Sequence, residues 1–567
     1  MAAAINRRRA LEMLCAGGAS LATVPAWFES QSASKGMGAA QAAGRPRDFR
    51  PLAVIPPLFS ARAHGPGSAA GIYDVRAFGA AGDGHRVDTP AINRAIAAAA
   101  RDGGGAVHFP PGTYLCYSIR LQSNITLQLQ PGATILAAAC QALGGAGNYD
   151  APEPNPAAGH YEDFGHRHWR NALISGIGLH DVGIVGPGLI FGRGLSFGPG
   201  QKLPGMADKS IALKDCRNVT LRDFSILEGG HFGILATGVD NLTVDNLLID
   251  TNRDGMDIDC CRNVRISNCT VNSPWDDGIC LKSSYALGAR RVTDNVTISD
   301  CLVAGGYRLG TVFDASFQPF PADARVPCTG RIKFGTESNG GFENIAIANC
   351  LFDRCGGLAL ESVDGAWLEN VAVSNIVMRG VSNAPLFLRL GARLRGPAAS
   401  TRVGVLRRIS VENLTVHGAA DRYCSILSGI PGHPIEDVRL RNIAILADGG
   451  GSPAMSALRP AEREKDYPEP TMFGPMPAWG FFLRHVRGLD LSDVHLRVSA
   501  PDQRPAFVLE DVAEAEFFRI RAAREAGVAE MAMRDVRQIG VRMCAGIPDT
   551  EITAAAGREL PAPAQEQ

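Results

Sequence analysis

The sequence predicts an all-β, single-domain right-handed parallel β-helix with an N-terminal capping helix, and three observations carry that expectation. A short signature, Asn followed by alternating aliphatics, recurs along the chain: RNVTLRDFSIL, DNLTVDNLLI, RNVRISNCTV, DNVTISDCLV, ENIAIANCLF and ENVAVSNIVM. The opening asparagines Asn218, Asn241, Asn263, Asn295, Asn344 and Asn370 are separated by 23, 22, 32, 49 and 26 residues. A basic period of about 22 with loop insertions marks a solenoid rather than a string of domains. Within each unit the residues one and three after the Asn are apolar, such as Val219/Leu221, Leu242/Val244 and Val264/Ile266. That alternation describes strands with one buried face, and the usual crossover rule makes the coil right-handed.

The sixth residue after each Asn is Phe224, Leu247, Cys269, Cys301, Cys350 and Ile376. Cysteine in an apolar column behaves as a small buried hydrophobe, so these thiols read as a free stack inside the coil. None of the 14 cysteines forms a pair at metal-ligand spacing. Ahead of the coils, TPAINRAIAAAARDGGG places Thr89 to cap, Pro90 at the first helical position, and Ile92, Ala95, Ile96 and Ala99 on one face. Such a helix covers the open end of a solenoid, whose strand edges need protection.

The chain divides into residues 1–27, an export signal of twin-arginine type with Arg7, Arg8 and Arg9 ahead of an apolar stretch; 28–70, an Ala/Gly/Pro/Ser-rich linker; 71–545, the β-helix; and 546–567, a disordered tail. The implied location is periplasmic or extracellular. No other apolar run is long enough to span a bilayer. Net charge is −1 without a basic block, which excludes nucleic acid as a partner. No cofactor and no metal is expected, and the chain is read as a monomer.

One stretch carries the chemistry. SPWDDGICLKSS sets Asp276 and Asp277 side by side. An adjacent acidic pair is by default a solvated turn. Thirteen residues after successive opening asparagines, however, stand His231, Asp254, Asp276 and Arg308. Strands about 4.8 Å apart would stack these into a ladder on one face. Crowded carboxylates raise the pKa of at least one member, the condition for a general acid, and glycoside cleavage needs two carboxyl roles. Trp275 and Tyr307 can stack on sugar faces, or pack as turn aromatics.

NRDGMDID followed one coil later by PWDDGICLKSS resembles glycoside hydrolase family 28, the polygalacturonases. YDVRAFGAAGDG, GTESNGG and YPEPTMFGPMPAWGFFLRHVRGL also resemble bacterial members, and the resemblance spans roughly residues 72 to 510. It implies an inverting hydrolase acting on pectic polysaccharides or oligosaccharides. Asp276 would be the general acid, Asp254 and Asp277 would position and deprotonate water, and Asn252, His231, Trp275, Lys282, Tyr307 and Arg308 would bind substrate. The chain departs from the pattern at four places. Arg253 replaces the family's Thr, Trp275 stands before the acidic pair in place of Gly or Gln, and Tyr307 stands where a His belongs. The literal Arg331–Lys333 lies a coil too early, so Ala359 and Glu361 would replace the basic pair that grips a uronate carboxylate. Arg308, Arg331, Lys333, Arg389 and Arg393 are the substitutes on offer. Long insertions between coils could wall off one end of a groove and make the enzyme exo-acting. A β-helix lyase or epimerase and a non-catalytic carbohydrate-binding β-helix are the competing classes.

Overall fold

The computed structural model describes residues 71–561 except 322, together with the short strand Ser68–Ala69. The expected export signal and nearly all of the expected linker lie outside these residues. Each coil contributes short strands that pair in parallel with their counterparts one coil away. Asp240–Asp245, Leu248–Asp250 and Asp254–Asp259 make one coil, and Arg262–Ser267, Thr270–Asn272 and Ile279–Ser283 make the next. Their registers run Leu242↔Val264, Ile249↔Val271 and Met256↔Ile279. Later coils fuse the first two strands into long ones such as Trp367–Val381 and Val405–Ala419.

The repeating Asn is explained by the backbone. Asn218, Asn241, Asn263, Asn295, Asn344 and Asn370 all have φ of 54–57°, a left-handed corner that Asn tolerates better than most side chains. Their amides then stack. Asn241 Nδ2 donates to Asn218 Oδ1 at 2.9 Å, Asn263 to Asn241 at 3.1 Å and Asn295 to Asn263 at 2.7 Å. A second amide ladder runs Asn375 to Asn349 and Asn413 to Asn375. Inside the coil, Val219, Leu242, Val264 and Val296 are buried in one column of the core. Cys269, Cys301 and Cys350 are free buried thiols, each donating to the carbonyl two residues before it.

The helix Thr89–Arg101 buries Ile92, Ala95, Ile96 and Ala99 against the first coils. Its N-cap is Asp88 rather than Thr89. The Thr89 hydroxyl instead accepts the Tyr117 amide at 2.7 Å, and Asp88 accepts the amides of Ala81 and Gly82. The expected tail from residue 546 is corrected over most of its described part: Thr550–Leu560 is a strand antiparallel to Met531–Arg542, with Ile552 and Leu560 buried. It closes the C-terminal edge that an open parallel stack would leave unpaired.

Candidate active site

The acids stand where strands open. Asp254 begins Asp254–Asp259, and Asp277 lies two residues before Ile279–Ser283. A glycine follows each acid for a steric reason. A Cβ on Gly255 would lie 2.4 Å from the Gly278 carbonyl oxygen, and one on Gly233 would lie 2.5 Å from that of Gly255. The coils therefore close up behind the acids only if that column is glycine.

The expected ladder is corrected by one residue. Phe232, not His231, is in register with Asp254. Continuing the Met256↔Ile279 register back two residues sets Asp254 opposite Asp277, not Asp276. The cause is the turn Thr251–Arg253, which has one residue fewer than the turn before it. Asp276 thus stands in the turn beside Arg253. Arg308 leaves the column altogether. It is exposed in an insertion, and the next strand of this sheet is Ile332–Ser338. Tyr307 is also corrected. It is buried with Val312 against Ala304, its ring meets Phe317 edge-on, and its hydroxyl donates to Asp353 at 2.5 Å. It packs the insertion and does not replace a site histidine.

Asp254, Asp276 and Asp277 nonetheless converge, with one carboxylate oxygen of each within 4.8 Å of the others. Their surroundings differ. Burial raises Asp254 well above the usual carboxylate range, and the charges of Asp276 and Asp257 add to it. Burial and the charge of Asp277 also raise Asp276, against the pull of Arg253. Burial alone would raise Asp277 too. Lys333, Arg331 and Lys282 outweigh it and hold Asp277 below its ordinary value. Arg331 Nε donates to Asp277 Oδ1 at 2.9 Å, and Lys333 Nζ lies 3.3 Å from Oδ2. The literal RIK set aside in the sequence is therefore the pair that sits on the acids. The acids' coil connects directly to Ile332–Ser338 through the Ile279↔Ile332 register. Ala359 and Glu361 lie one coil further on, with Glu361 3.7 Å from Lys333.

The other expected residues fall around this cluster. Trp275 is half-exposed and meets Phe320 edge-on. With Asn252, Arg253 and the segment Phe197–Gln201 it lines a cavity of about 410 Å³. Lys282 is buried, 2.9 Å from Glu337 and 3.6 Å from Asp257. His231 is nearly buried between Phe164 and Phe232. Burial, then the charges of Arg253 and His166, hold it down to about 2, so it is neutral. Arg389 turns toward the carbonyls of Ser428, Gly429, Glu462 and Arg463, and Arg393 pairs with Asp364.

Two insertions add residues that periodicity could not reveal. From the first, His166 Nε2 lies 2.8 Å from Asp257, and Asp163 pairs with Arg395. From the second, Glu469 grips Arg331 with both oxygens, at 3.0 and 2.5 Å. Lys333 lies 5.3 Å over the ring of Tyr467. Phe473 and Met476 of this second insertion pack on Ala359 and Phe387 and cover the sheet face beyond the acids. The signal for the second was the YPEPTMF stretch itself; the first carried none.

The fold is a right-handed parallel β-helix bearing a three-carboxylate cluster on one sheet. Residues 72–169 match the family model described as Rhamnogalacturonase A/epimerase, pectate lyase-like, and residues 205–319 match that of the right handed beta helix region. The chain is 25% identical over 380 residues to a probable polygalacturonase of Vitis vinifera, covering 60% of this chain and 74% of that protein. Among solved structures it is similar in fold to a Yersinia enterocolitica family 28 exopolygalacturonase (18% identity, TM-score 0.55, 78% of each chain). It is similar also to a hyperthermoactive exopolygalacturonase of Thermotoga maritima (19% identity, TM-score 0.52, 66% of this chain and 87% of that one). Among the described residues no helix is long and apolar enough to cross a membrane.

Proposed function

We propose that the protein is a polygalacturonase-like glycoside hydrolase that cleaves O-glycosidic bonds of pectic polysaccharides or oligosaccharides from a chain end, with inversion. The observation that carries this reading is the split state of three converging carboxyls: Asp254 and Asp276 held toward the neutral form, Asp277 toward the ionised one. Asp276 has the more open side chain and donates its proton to the leaving glycosidic oxygen. Asp277 accepts a proton from the water that attacks the anomeric carbon, and Asp254 orients that water. Carboxyls this close would by separation alone favour retention. The third acid supports inversion here, because it lets a water be held between two carboxyls while Asp276 protonates the leaving group.

The covering of the sheet by Phe473 and Met476 beyond the acids supports attack at a chain end. Export rests on the Arg7–Arg9 leader, and a monomeric state on the fact that one chain supplies every acid and cation of the cluster. The test is reducing-end release from polygalacturonate and from neutral pectic oligosaccharides, with ultraviolet absorbance and proton NMR of the first product. Inverted product, lost in Asp276→Asn, is expected. An unsaturated product means a lyase, and binding without turnover means a carbohydrate-binding β-helix.

A further inference from the structure

Most cations around the acids are already engaged. Arg331 is shared between Asp277 and Glu469, Lys333 lies between Asp277 and Glu361, and Lys282 faces Asp257 and Glu337. Arg395 spends two nitrogens on Asp163. A substrate carboxylate would have to break a buried pair to use Arg331, Lys333 or Lys282, leaving a charge uncompensated, and would compete with both Asp163 and Glu337 for Arg395. Arg253 is different. Among the described residues its one side-chain hydrogen bond goes from Nη2 to Asp276, its buried Nε has no partner there, and a third of its side chain (33%) is exposed. It also lines the cavity of about 410 Å³ whose wall includes the half-exposed Trp275 and the segment Phe197–Gln201. Phe197 is 40% exposed and Trp275 39%, so both rings are open to a ligand. Aromatic faces and a guanidinium fork together suit a sugar ring that bears a carboxylate.

We propose that this cavity is a uronate subsite in which Arg253 takes the sugar carboxylate, and that doing so draws Arg253 off Asp276, which then holds its proton more firmly as the donor. The proposal deepens the hydrolase reading and rests on it for the second half only. In the free protein Arg253 favours the ionised form of Asp276. A uronate in the cavity supplies a competing anion, and Asp276 then keeps its proton until it passes to the leaving oxygen. The general acid is armed by the feature that marks the substrate as acidic. Arg253 is a specificity-determining residue, and its influence on the chemistry passes through Asp276.

The experiment compares the wild-type protein with Arg253→Gln, using D-galacturonate and D-galactose as probes of binding by calorimetry, and trigalacturonate for kinetics. Wild type is expected to prefer galacturonate by about tenfold or more, the scale of one charge-assisted pair. The variant should lose that preference while its thermal unfolding stays close to wild type. A preference that survives in the variant overturns the subsite. In kinetics, the basic limb of kcat should lie at higher pH than that of kcat/KM in wild type, because one reports the complex and the other the free enzyme. The two limbs should coincide in the variant, and limbs that already coincide in wild type overturn the arming step. Galacturonate preference with no hydrolysis of any pectic substrate would sink the hydrolase reading and leave the subsite standing.

Discussion

Asp254 and Asp277 face each other across adjacent coils with their acidities pushed apart, the first raised by burial and acidic neighbours, the second lowered by Lys333, Arg331 and Lys282. Two equivalent carboxylates at this spacing could not both be charged without cost. The asymmetry comes from Arg331 and Lys333, which pair with Asp277 and not with Asp254. It predicts unequal effects of isosteric substitution. Asp277→Asn removes the ionised proton acceptor and should lower kcat by about 10²–10⁴-fold, the usual worth of a general base. Asp254→Asn keeps a neutral polar group and should cost less. Steady-state rates on trigalacturonate decide it, and equal losses would mean that the two acids share one role.

Arg331 sets the acid side of the pH profile. Its Nε donates to Asp277 and its other nitrogens are gripped by Glu469. Arg331→Gln removes one of the charges that depress Asp277. A base must be deprotonated, so activity falls as pH drops through its pKa. A higher pKa therefore moves the acidic limb of kcat/KM to higher pH, while the basic limb, which reports the acid, moves less. A variant with an unmoved acidic limb would show that another group controls it.

The covered end of the sheet predicts the product pattern. Phe473 and Met476 seat the second insertion on Ala359 and Phe387, and Tyr467 and Glu469 hold it to Lys333 and Arg331. A long oligogalacturonate should release only small products from the first minutes, without a ladder of intermediate lengths. Chromatography of an early time course checks this. A ladder would mean that the groove is open at both ends.

The fold was legible because one residue type repeats under a backbone constraint. Asn recurs where φ is positive, and aliphatics alternate because one face is always inside. The acid cluster was legible for the same reason, but its register was not. Counting a fixed thirteen residues from each Asn assumes equal turns, and the turn before Asp254 has one fewer. Arg331 and Lys333 were displaced by a related assumption, that the family's coil order holds across an insertion. His166, Tyr467 and Glu469 reach the site from irregular segments, where no periodicity marks which side chain points inward.

Glu361 is a buried carboxyl beneath Lys333, and among the described residues neither of its oxygens has a hydrogen-bond partner. Burial raises it from 4.5 to about 8, against the pull of Lys333 and Arg331. A carboxyl whose folded pKa lies above its unfolded one binds more protons when folded. Its contribution to stability is full below pH about 4.5 and is lost as pH rises toward about 8. Glu361→Gln should flatten the fall of the unfolding temperature across that window. An unchanged slope would place the titration elsewhere.

Tyr307 tests the assignment that the structure reversed. Its hydroxyl donates to Asp353, Arg379 Nη2 lies 3.4 Å from it, and its ring packs on Phe317. Tyr307→Phe keeps the ring and deletes the hydroxyl. Asp353 stays paired with Arg379, so no bare charge is left behind. The expected cost is about 1.5–3 kcal/mol of stability, the range for losing one hydrogen bond to a charged group, read by urea titration. Kinetics on trigalacturonate should be unchanged within error, because Asp353 belongs to a different strand stack from the acids. A loss of kcat of tenfold or more, without loss of fold, would return Tyr307 to the substrate site and require the insertion to fold back over the acids during turnover.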